Sequence, residues 1–481
     1  MKKGKLLQKI MALMLSAAVS ATVLTGCETM QSTKKVTTIT LWNYYNGTQM
    51  DSFNELVDEF NETVGKEKRI EVKSYSQGSV NDLETNVRNA AEGKVGAEPL
   101  PDIFSAYADT AYYLDHMGLV ADLTEYLTED ELSRYISGYL KEGDIDGKGS
   151  LKIFPIAKST ELLFLNDTDW ETFAQATGTK YSELSTIEGL VQVAKRYYEW
   201  TDAKTEAPDD GKAFFGRDAM ANYMFLGAEE LGDSIFTVGE KGKMKVVFQE
   251  STARKLWDNY YVPYVKGYFS AAGRFRSDDV KTGNVLAYVG STSSATFFPK
   301  NVESDSGESH EISMKVLSTP KFENCEKHAV QQGAGMVVTK QSEEHMKASV
   351  EFLKWFTKQE NNIIFSVESG YLPVTYEAND MDLVRKSGVK LTKNMEELLE
   401  TAMKEVTENA LYTPTAFSKG KETRNVLEYT MSDLATADRE TVKQRLADGM
   451  SIDEAAAEFL TEEYFLSWYR DMMEQLKAYE S

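Results

Sequence analysis

The chain has 481 residues, of which 42% are hydrophobic and 27% are charged, as in a folded protein of one large domain or two medium ones. Its 76 acidic residues outnumber its 53 lysines and arginines, and the net charge of −23 argues against phosphate-backbone binding as the main activity. Four histidines and two cysteines nearly exclude a zinc cluster of these residues and a disulfide framework.

The amino-terminal segment has the pattern of a secretion signal. Its basic residues are Lys2, Lys3, Lys5 and Lys9. The apolar stretch 10–24 is shorter than the ~20 residues of a membrane-spanning helix and suits a signal peptide. It ends in Leu24-Thr25-Gly26-Cys27, which resembles the bacterial lipobox. This resemblance implies that 1–26 is removed, that Cys27 carries fatty acyl chains, and that 27–38 is a polar tether.

The predicted location follows from this anchor. The domain that remains is acidic and is repelled by anionic lipids, so the lipid on Cys27 is the predicted link to the membrane. The protein is then held at the outer face of the cell membrane, in a bacterium with a single membrane. The alternative is a signal anchor in which Cys27 occurs by chance.

Strand and helix patterns alternate along the first third of the mature chain. They predict strands at 39–42, 70–75 and 101–104 and helices at 50–64 and 81–91. Such an order implies a mostly parallel sheet with helices on its faces.

The alternation resumes farther along the chain. Further strands are predicted at 161–165, 285–289, 315–317 and 335–338, and a helix at 189–200. The tail to 479 is predicted to be helical, with Ser451 and Glu454 forming a capping box. The chain therefore contains two α/β units, packed together without a long linker.

Six stretches resemble, in the same order, the family 1 extracellular solute-binding proteins of bacterial ABC importers. They are 39–43, 101–106, 118–123, 154–166, 333–374 and 449–456. The most specific, 333–374, contains Gly335-Met336-Val337-Val338 and Ser369-Gly370-Tyr371-Leu372-Pro373-Val374.

The resemblance implies an α/β clamshell of two lobes, each a mostly parallel sheet flanked by helices. The chain would cross between the lobes near 156–159, 330–333 and 371–374. The implied amino-terminal lobe is 39–157 plus 332–372, and the implied carboxyl-terminal lobe is 158–331 plus 373–481. The lobes would close on a small solute by hinge motion and dock on a membrane permease. The protein would be a monomer and a carrier rather than an enzyme, with no cofactor, no metal and no nucleic-acid partner.

Candidate ligand contacts lie at the carboxyl ends of predicted strands, where open α/β sheets bind ligands. They are Tyr44, Tyr45 and Asn46 after the first strand, Gln77 and Ser79 after the second, and Gly290, Ser291, Thr292 and Ser293 after the strand 285–289. Aromatic rings stack on sugar rings, and amides and hydroxyls bond sugar hydroxyls. About half of the first run is expected in the core, and Ser79 also fits a plain helix cap.

Other candidates lie beside the implied crossings or carry charge. They are Glu161, Arg217, Gln332, Gly333, Tyr371 and Arg424. Salt bridges are the alternative explanation for Glu161 and Arg217. Arg424 occupies a region where the glycerol-3-phosphate-binding branch of the family has an arginine that contacts phosphate.

Three functions remain open from the sequence. The first is a carrier of a mono- or oligosaccharide, and the second is the same fold with glycerol-3-phosphate or a glycerophosphodiester as ligand. The third is a surface glycoside hydrolase, because 76 carboxylates could include a catalytic pair.

Overall fold

The computed structural model describes residues 35–480 apart from 240, 241, 304–306, 308 and 414. The predicted signal peptide, Cys27 and the tether up to residue 34 lie outside the described residues. Within the described part, no helix combines the length and the hydropathy needed to cross a membrane.

The described strands lie mainly in two four-stranded sheets. They are β1 Thr37–Asn43, β2 Ile70–Ser76, β3 Ile103–Ala106, β4 Glu161–Asn166, β5 Phe215–Arg217, β6 Phe236–Val238, β7 Met244–Val246, β8 Ala287–Ser291, β9 Asn301–Glu303, β10 Ser309–Glu311, β11 Met314–Leu317, β12 His328–Val330, β13 Gly335–Val338 and β14 Ala410–Tyr412.

Helices cover the sheets and form the carboxyl-terminal part of the chain. The longer ones are Thr48–Phe60, Val80–Ala91, Ala108–His116, Asp167–Thr177, Ile187–Asp202, Met220–Glu230, Glu250–Val265, Glu343–Phe356, Gln359–Ser369, Lys393–Glu408, Gly420–Ala447 and Glu462–Lys477. The shorter ones are Lys66–Lys68, Glu129–Ser133, Ser137–Lys141, Arg276–Lys281, Met381–Lys386 and Ile452–Ala456. The predicted capping box of Ser451 and Glu454 is confirmed at the start of Ile452–Ala456.

The first sheet has the order β13-β3-β1-β2. β1 is parallel to β2 and to β3, as the alternating pattern predicts, and β13 is antiparallel to β3 at the edge. The helix Thr48–Phe60 buries Phe53 and Phe60 on one face, and its ring pairs with Glu343–Phe356 include Phe53 and Phe356 at 5.2 Å. This packing holds β1, and therefore its carboxyl end, in a fixed position.

The second sheet has the order β11-β4-β8-β5 and is mixed. β5 and β8 are parallel, whereas β4 is antiparallel to both β8 and β11. The mostly parallel arrangement expected for each lobe therefore describes the first sheet better than the second. The reason is the route of the chain: β4 starts at the edge where β8 ends, so that Glu161 pairs with Ser291.

Three chain segments run side by side between the sheets. Lys158 exchanges backbone hydrogen bonds with Leu372, at 3.1 and 2.6 Å, and Ser159 exchanges them with Gln332, at 3.0 and 2.8 Å. The three crossings between the lobes thus form one hydrogen-bonded strip. Each crossing is only a few residues long, as hinge segments between lobes generally are. We call the paired segments at 158–159, 332 and 372 the hinge strip.

A buried lysine connects two of these segments by a side-chain hydrogen bond. Lys158 is fully buried, and its ammonium group donates to the Gly333 carbonyl at 2.7 Å and to the Glu142 carboxylate. Gly333 has φ of +90°, and a Cβ there would lie 3.2 Å from the Ala157 carbonyl oxygen, so glycine suits this close crossing.

Candidate functional site

A cavity of ≈910 Å³ lies between the two sheets, beside the hinge strip. The first lobe contributes one face of the helix Val80–Ala91 and the amino-terminal turn of the helix Ala108–His116. The second contributes the loop after β8, part of the helix Met220–Glu230 and the first turn of Gly420–Ala447. Strands β12 and β14, which pair in parallel, form a further wall.

The side of the cavity away from the hinge is closed by contacts between the lobes. Lys421 donates to Asn81 Oδ1 at 3.1 Å and to Glu84 Oε2 at 2.8 Å. Asp109 lies against the start of the helix Gly420–Ala447, where a Cβ on Gly420 would be 2.2 Å from Asp109 Oδ1. The absence of a side chain at 420 is therefore what allows this approach.

Tyrosine hydroxyls gather on the first-lobe side. The Tyr44 and Tyr371 hydroxyl oxygens are 3.5 Å apart, and Tyr107 and Tyr371 line the cavity. Burial raises the pKa of Tyr44 and Tyr107 well above the ordinary phenol value. These hydroxyls stay protonated at neutral pH and can both donate and accept hydrogen bonds.

On the second-lobe side, Glu161 is the centre of a buried polar network. It accepts from Arg217 at 2.7 Å and from Asn222 at 2.6 Å, and Gln332 lies 3.4 Å away. Arg424 donates to Asn222 at 2.7 Å. Asn222, Gln332 and Arg424 line the cavity, whereas Glu161 and Arg217 lie behind them. The ion pair of Glu161 and Arg217 therefore positions the residues that line the wall.

The loop after β8 divides its hydroxyls between the cavity and the core. Ser291 and Ser293 line the cavity, with their Oγ atoms 3.1 Å apart. Thr292 is buried, and its backbone N–H donates to the Thr160 carbonyl. A Cβ on Gly290 would lie 2.7 Å from Asp218 Oδ2, so a side chain at 290 would displace the Asp218 carboxylate.

Several predicted site residues have structural contacts outside the cavity. Tyr45 is 2% exposed and packs in the core against Phe53 and Phe365. Asn46 donates to the carbonyls of residues 44 and 78, and Gln77 accepts from the side chain of residue 86. Ser79 caps the helix Val80–Ala91. These four side chains shape the loops that follow β1 and β2.

The cavity also contains residues that the sequence pattern did not single out. Tyr107 and Asp109 follow β3. They lie at the carboxyl end of a predicted strand, where open α/β sheets bind ligands, so the sequence does contain a signal for them. Gln331 and Thr413 follow β12 and β14, which have three residues each. Strands this short have too little alternation to be recognised.

Charges around the cavity are balanced. Four acids and four bases line it: Glu84, Asp109, Glu142, Glu229, Arg88, Lys141, Lys421 and Arg424. Burial raises the pKa of Asp109 to about 6; Glu84 adds to the rise and Arg424 opposes it. In the described residues, no group of three or more His, Cys, Asp or Glu side chains is placed to hold a metal ion.

Comparison with known families gives one match that spans most of the chain. The family described as bacterial extracellular solute-binding protein matches residues 55–391. No curated protein sequence matches the chain.

Solved structures share the fold at low sequence identity. The cyclic alpha-maltosyl-1,6-maltose binding protein of Arthrobacter globiformis is 16% identical, with a TM-score of 0.62 over 92% of this chain and 99% of that one. UgpB of Mycobacterium tuberculosis, in complex with glycerophosphocholine, is 16% identical, with a TM-score of 0.63 over 92% and 98%. The maltose/maltodextrin-binding domain MalE of Bdellovibrio bacteriovorus, bound to maltotriose, is 14% identical, with a TM-score of 0.57 over 90% and 99%.

Proposed function

The chain belongs to the bacterial extracellular solute-binding proteins, and from this premise we propose that it captures a neutral mono- or oligosaccharide for the permease of an ABC importer. The observation that carries the proposal is the composition of the cavity. Tyrosine rings, hydroxyls and amides line it, and its four acids are matched by four bases. Rings and uncharged hydrogen-bonding groups suit a polyol, whereas a surplus of positive charge would suit an anion.

Capture would work by closure of the lobes on the solute. A sugar in the cavity would touch Tyr107 and Tyr371 on one side and Ser291, Asn222 and Arg424 on the other. Only a ligand that contacts both lobes favours the closed form over the open one. In this movement the lobes would rotate about the hinge strip, and the contact of Lys421 with Glu84 would form when they close.

The proposal includes the anchor and the division of the chain. The protein would be a monomer that is held outside the cell by lipid on Cys27. Its lobes would be 39–157 plus 332–372 and 158–331 plus 373–481. Mass spectrometry of the amino-terminal peptide tests the anchor, since a mature form starting elsewhere than a modified Cys27 contradicts it.

A thermal-shift panel on the protein without its signal peptide tests the ligand class. The panel contains neutral mono- and oligosaccharides, glycerol-3-phosphate and glycerophosphocholine. A ligand present at 100 times its dissociation constant adds about 2.7 kcal/mol of stability. We expect a shift with at least one sugar and no hydrolysis of it. Hydrolysis would favour a surface glycoside hydrolase instead, and no shift with any compound would contradict both ligand classes.

The second candidate ligand is glycerol-3-phosphate or a glycerophosphodiester. The observation in its favour is that three cations, Arg88, Lys421 and Arg424, are among the residues that line the cavity. Lys421 donates a hydrogen bond to Glu84, and Arg424 donates one to Asn222. Part of their hydrogen-bonding capacity is therefore not available to a phosphate group. For this reason we place the neutral sugar first.

A further inference from the structure

Two uncharged polar side chains lie side by side in the wall of the cavity. Gln331 and Thr413 come directly after β12 and β14, in which Val330 pairs with Tyr412. The backbone N–H of Gln331 continues this pairing by donating to the Tyr412 carbonyl at 3.3 Å. Partners in register point to the same side of a parallel pair, so the Gln331 and Thr413 side chains are neighbours.

Alternation along the strands fixes which side they face. Leu411 contacts the helix Ser137–Lys141, where a Cβ on Gly138 would lie 2.8 Å from its side chain. Residues two apart share a face, so Thr413 faces the same way as Leu411. Lys141 and Glu142, at the end of that helix, line the cavity together with Gln331 and Thr413.

The polar atoms of this pair are buried without a protein partner. Gln331 is only 5% exposed, and neither its Oε1 nor its Nε2 has a hydrogen-bond partner among the described residues. The same holds for Thr413 Oγ1. Buried amides and hydroxyls are nearly always hydrogen-bonded, because leaving one unpaired is costly. Both residues line the cavity, which is where a partner could come from.

We propose that Gln331 and Thr413 form a ligand subsite for a pair of adjacent hydroxyls of the solute. A carboxamide offers donors and an acceptor next to each other, and a hydroxyl offers both. Two neighbouring sugar hydroxyls can satisfy both groups at once. A phosphate group only accepts, so it would leave Gln331 Oε1 unpaired.

This inference rests on the proposed function and sharpens it to a neutral polyhydroxyl ligand. The test compares the wild-type protein with Gln331→Met, which keeps the length of the side chain and removes its hydrogen bonds. Gln475→Met, at an exposed position of the helix Glu462–Lys477, is the matched control. Affinities for maltotriose, cellotriose, xylotriose and glycerophosphocholine are measured by titration calorimetry, and the free proteins are melted in parallel.

We expect Gln331→Met to weaken binding of the sugar that the wild type binds by about tenfold, as for two lost hydrogen bonds. The melting temperature of the free protein should stay the same or rise, because the variant removes a buried amide that has no partner among the described residues. Gln475→Met should bind like the wild type. Equal affinity in Gln331→Met, or a loss that merely follows a lower melting temperature, would overturn the subsite. Should Gln331→Met not fold, Thr413→Val is judged by the same criteria.

The outcome for the wild type separates this inference from the proposed function. Glycerophosphocholine also has two adjacent hydroxyls on its glycerol, so the effect of Gln331→Met on its binding decides. If glycerophosphocholine alone binds, with equal affinity in Gln331→Met, the hydroxyl subsite is overturned and a solute-binding protein with the second ligand remains. If Gln331→Met weakens that binding, the subsite stands and the carbohydrate ligand is overturned. Binding of none of the four compounds would count against the proposed carbohydrate function itself, and the subsite would fall with it.

Discussion

Arg424 is the residue whose role differs most between the two candidate ligands. We expect Arg424→Ala to lower the affinity for a neutral sugar by less than tenfold, since one hydrogen-bonding group is lost. The affinity for glycerophosphocholine should fall more than a hundredfold, because a charge-assisted contact is worth several kcal/mol. Titration calorimetry with both ligands measures the difference.

Arg424→Lys is the control for charge. It keeps the cation but loses the planar contact to Asn222. Equal losses for both ligands in Arg424→Ala would mean that Arg424 acts by holding Asn222 rather than by contacting the solute.

Asp109 gives the protein a dependence on pH. Its pKa is raised to about 6 by burial, and then by Glu84. A raised carboxyl pKa favours the folded form at low pH, and this contribution is lost as pH rises from about 4 through 6. Asp109→Asn should therefore exceed the wild type in stability at pH 7, by about 1–2 kcal/mol, and the gap should close towards pH 4.

Urea denaturation at pH 4.5, 5.5 and 7 measures this gap. Asp471→Asn, on an exposed position of the terminal helix, should leave the pH profile of the wild type unchanged. A constant difference between Asp109→Asn and the wild type over this range would show that Asp109 does not titrate there.

The positions of some site residues can be predicted from the sequence, and those of others cannot. Ser291 and Ser293 were predicted from the end of β8, and the structure places both in the cavity wall, where their role as ligand contacts stays a prediction. Tyr44 and Tyr45 are adjacent and chemically alike. Tyr45 is the one that packs in the core, and one of its ring partners there, Phe365, is on a helix far along the chain. A local pattern contains no information about such a partner.

At the scale of elements, the start of the helix Gly420–Ala447 controls how closely the lobes meet. A methyl group at 420 would lie 2.2 Å from Asp109 Oδ1 in this structure. We expect Gly420→Ala to weaken ligand binding by about three- to tenfold, because the added methyl group would keep the two lobes slightly apart.

The double variant Gly420→Ala with Asp109→Ala is the control, because it removes the atoms that the methyl group would meet. It should bind more tightly than Gly420→Ala alone. Wild-type affinity in the single variant would mean that this contact does not limit closure.

The hinge strip depends on a buried ion pair. Lys158→Met leaves the Glu142 carboxylate buried without its cation, and breaking such a pair costs about 3–5 kcal/mol. Chemical denaturation should give a loss of this size. Lys158→Met with Glu142→Gln should recover part of it, whereas equal losses in the single and double variants would mean that the two groups are not coupled.

The elements themselves were largely predictable. β1, β2 and the helices after them follow clear periodicities and are confirmed. The antiparallel direction of β4 was not predictable, because it depends on where the chain re-enters the second sheet. β12 and β14 pair across eighty residues with three residues each, and no local pattern marks them.

The whole molecule should contract when it binds its solute. Small-angle scattering of the wild type with a saturating sugar should give a smaller radius of gyration than without it, since closure brings two rigid lobes together. Gly420→Ala should contract less. Curves that stay identical with a ligand that calorimetry shows to bind would contradict hinge closure.

The placement of β13 has a consequence for biogenesis. Ile103 of β3 pairs with Val338 of β13, so the first sheet stays incomplete until all strands of the second sheet have been synthesised. In the meantime the edge of β3 carries unpaired backbone groups that can join another chain. A truncation before residue 335 should therefore aggregate rather than yield an isolated lobe.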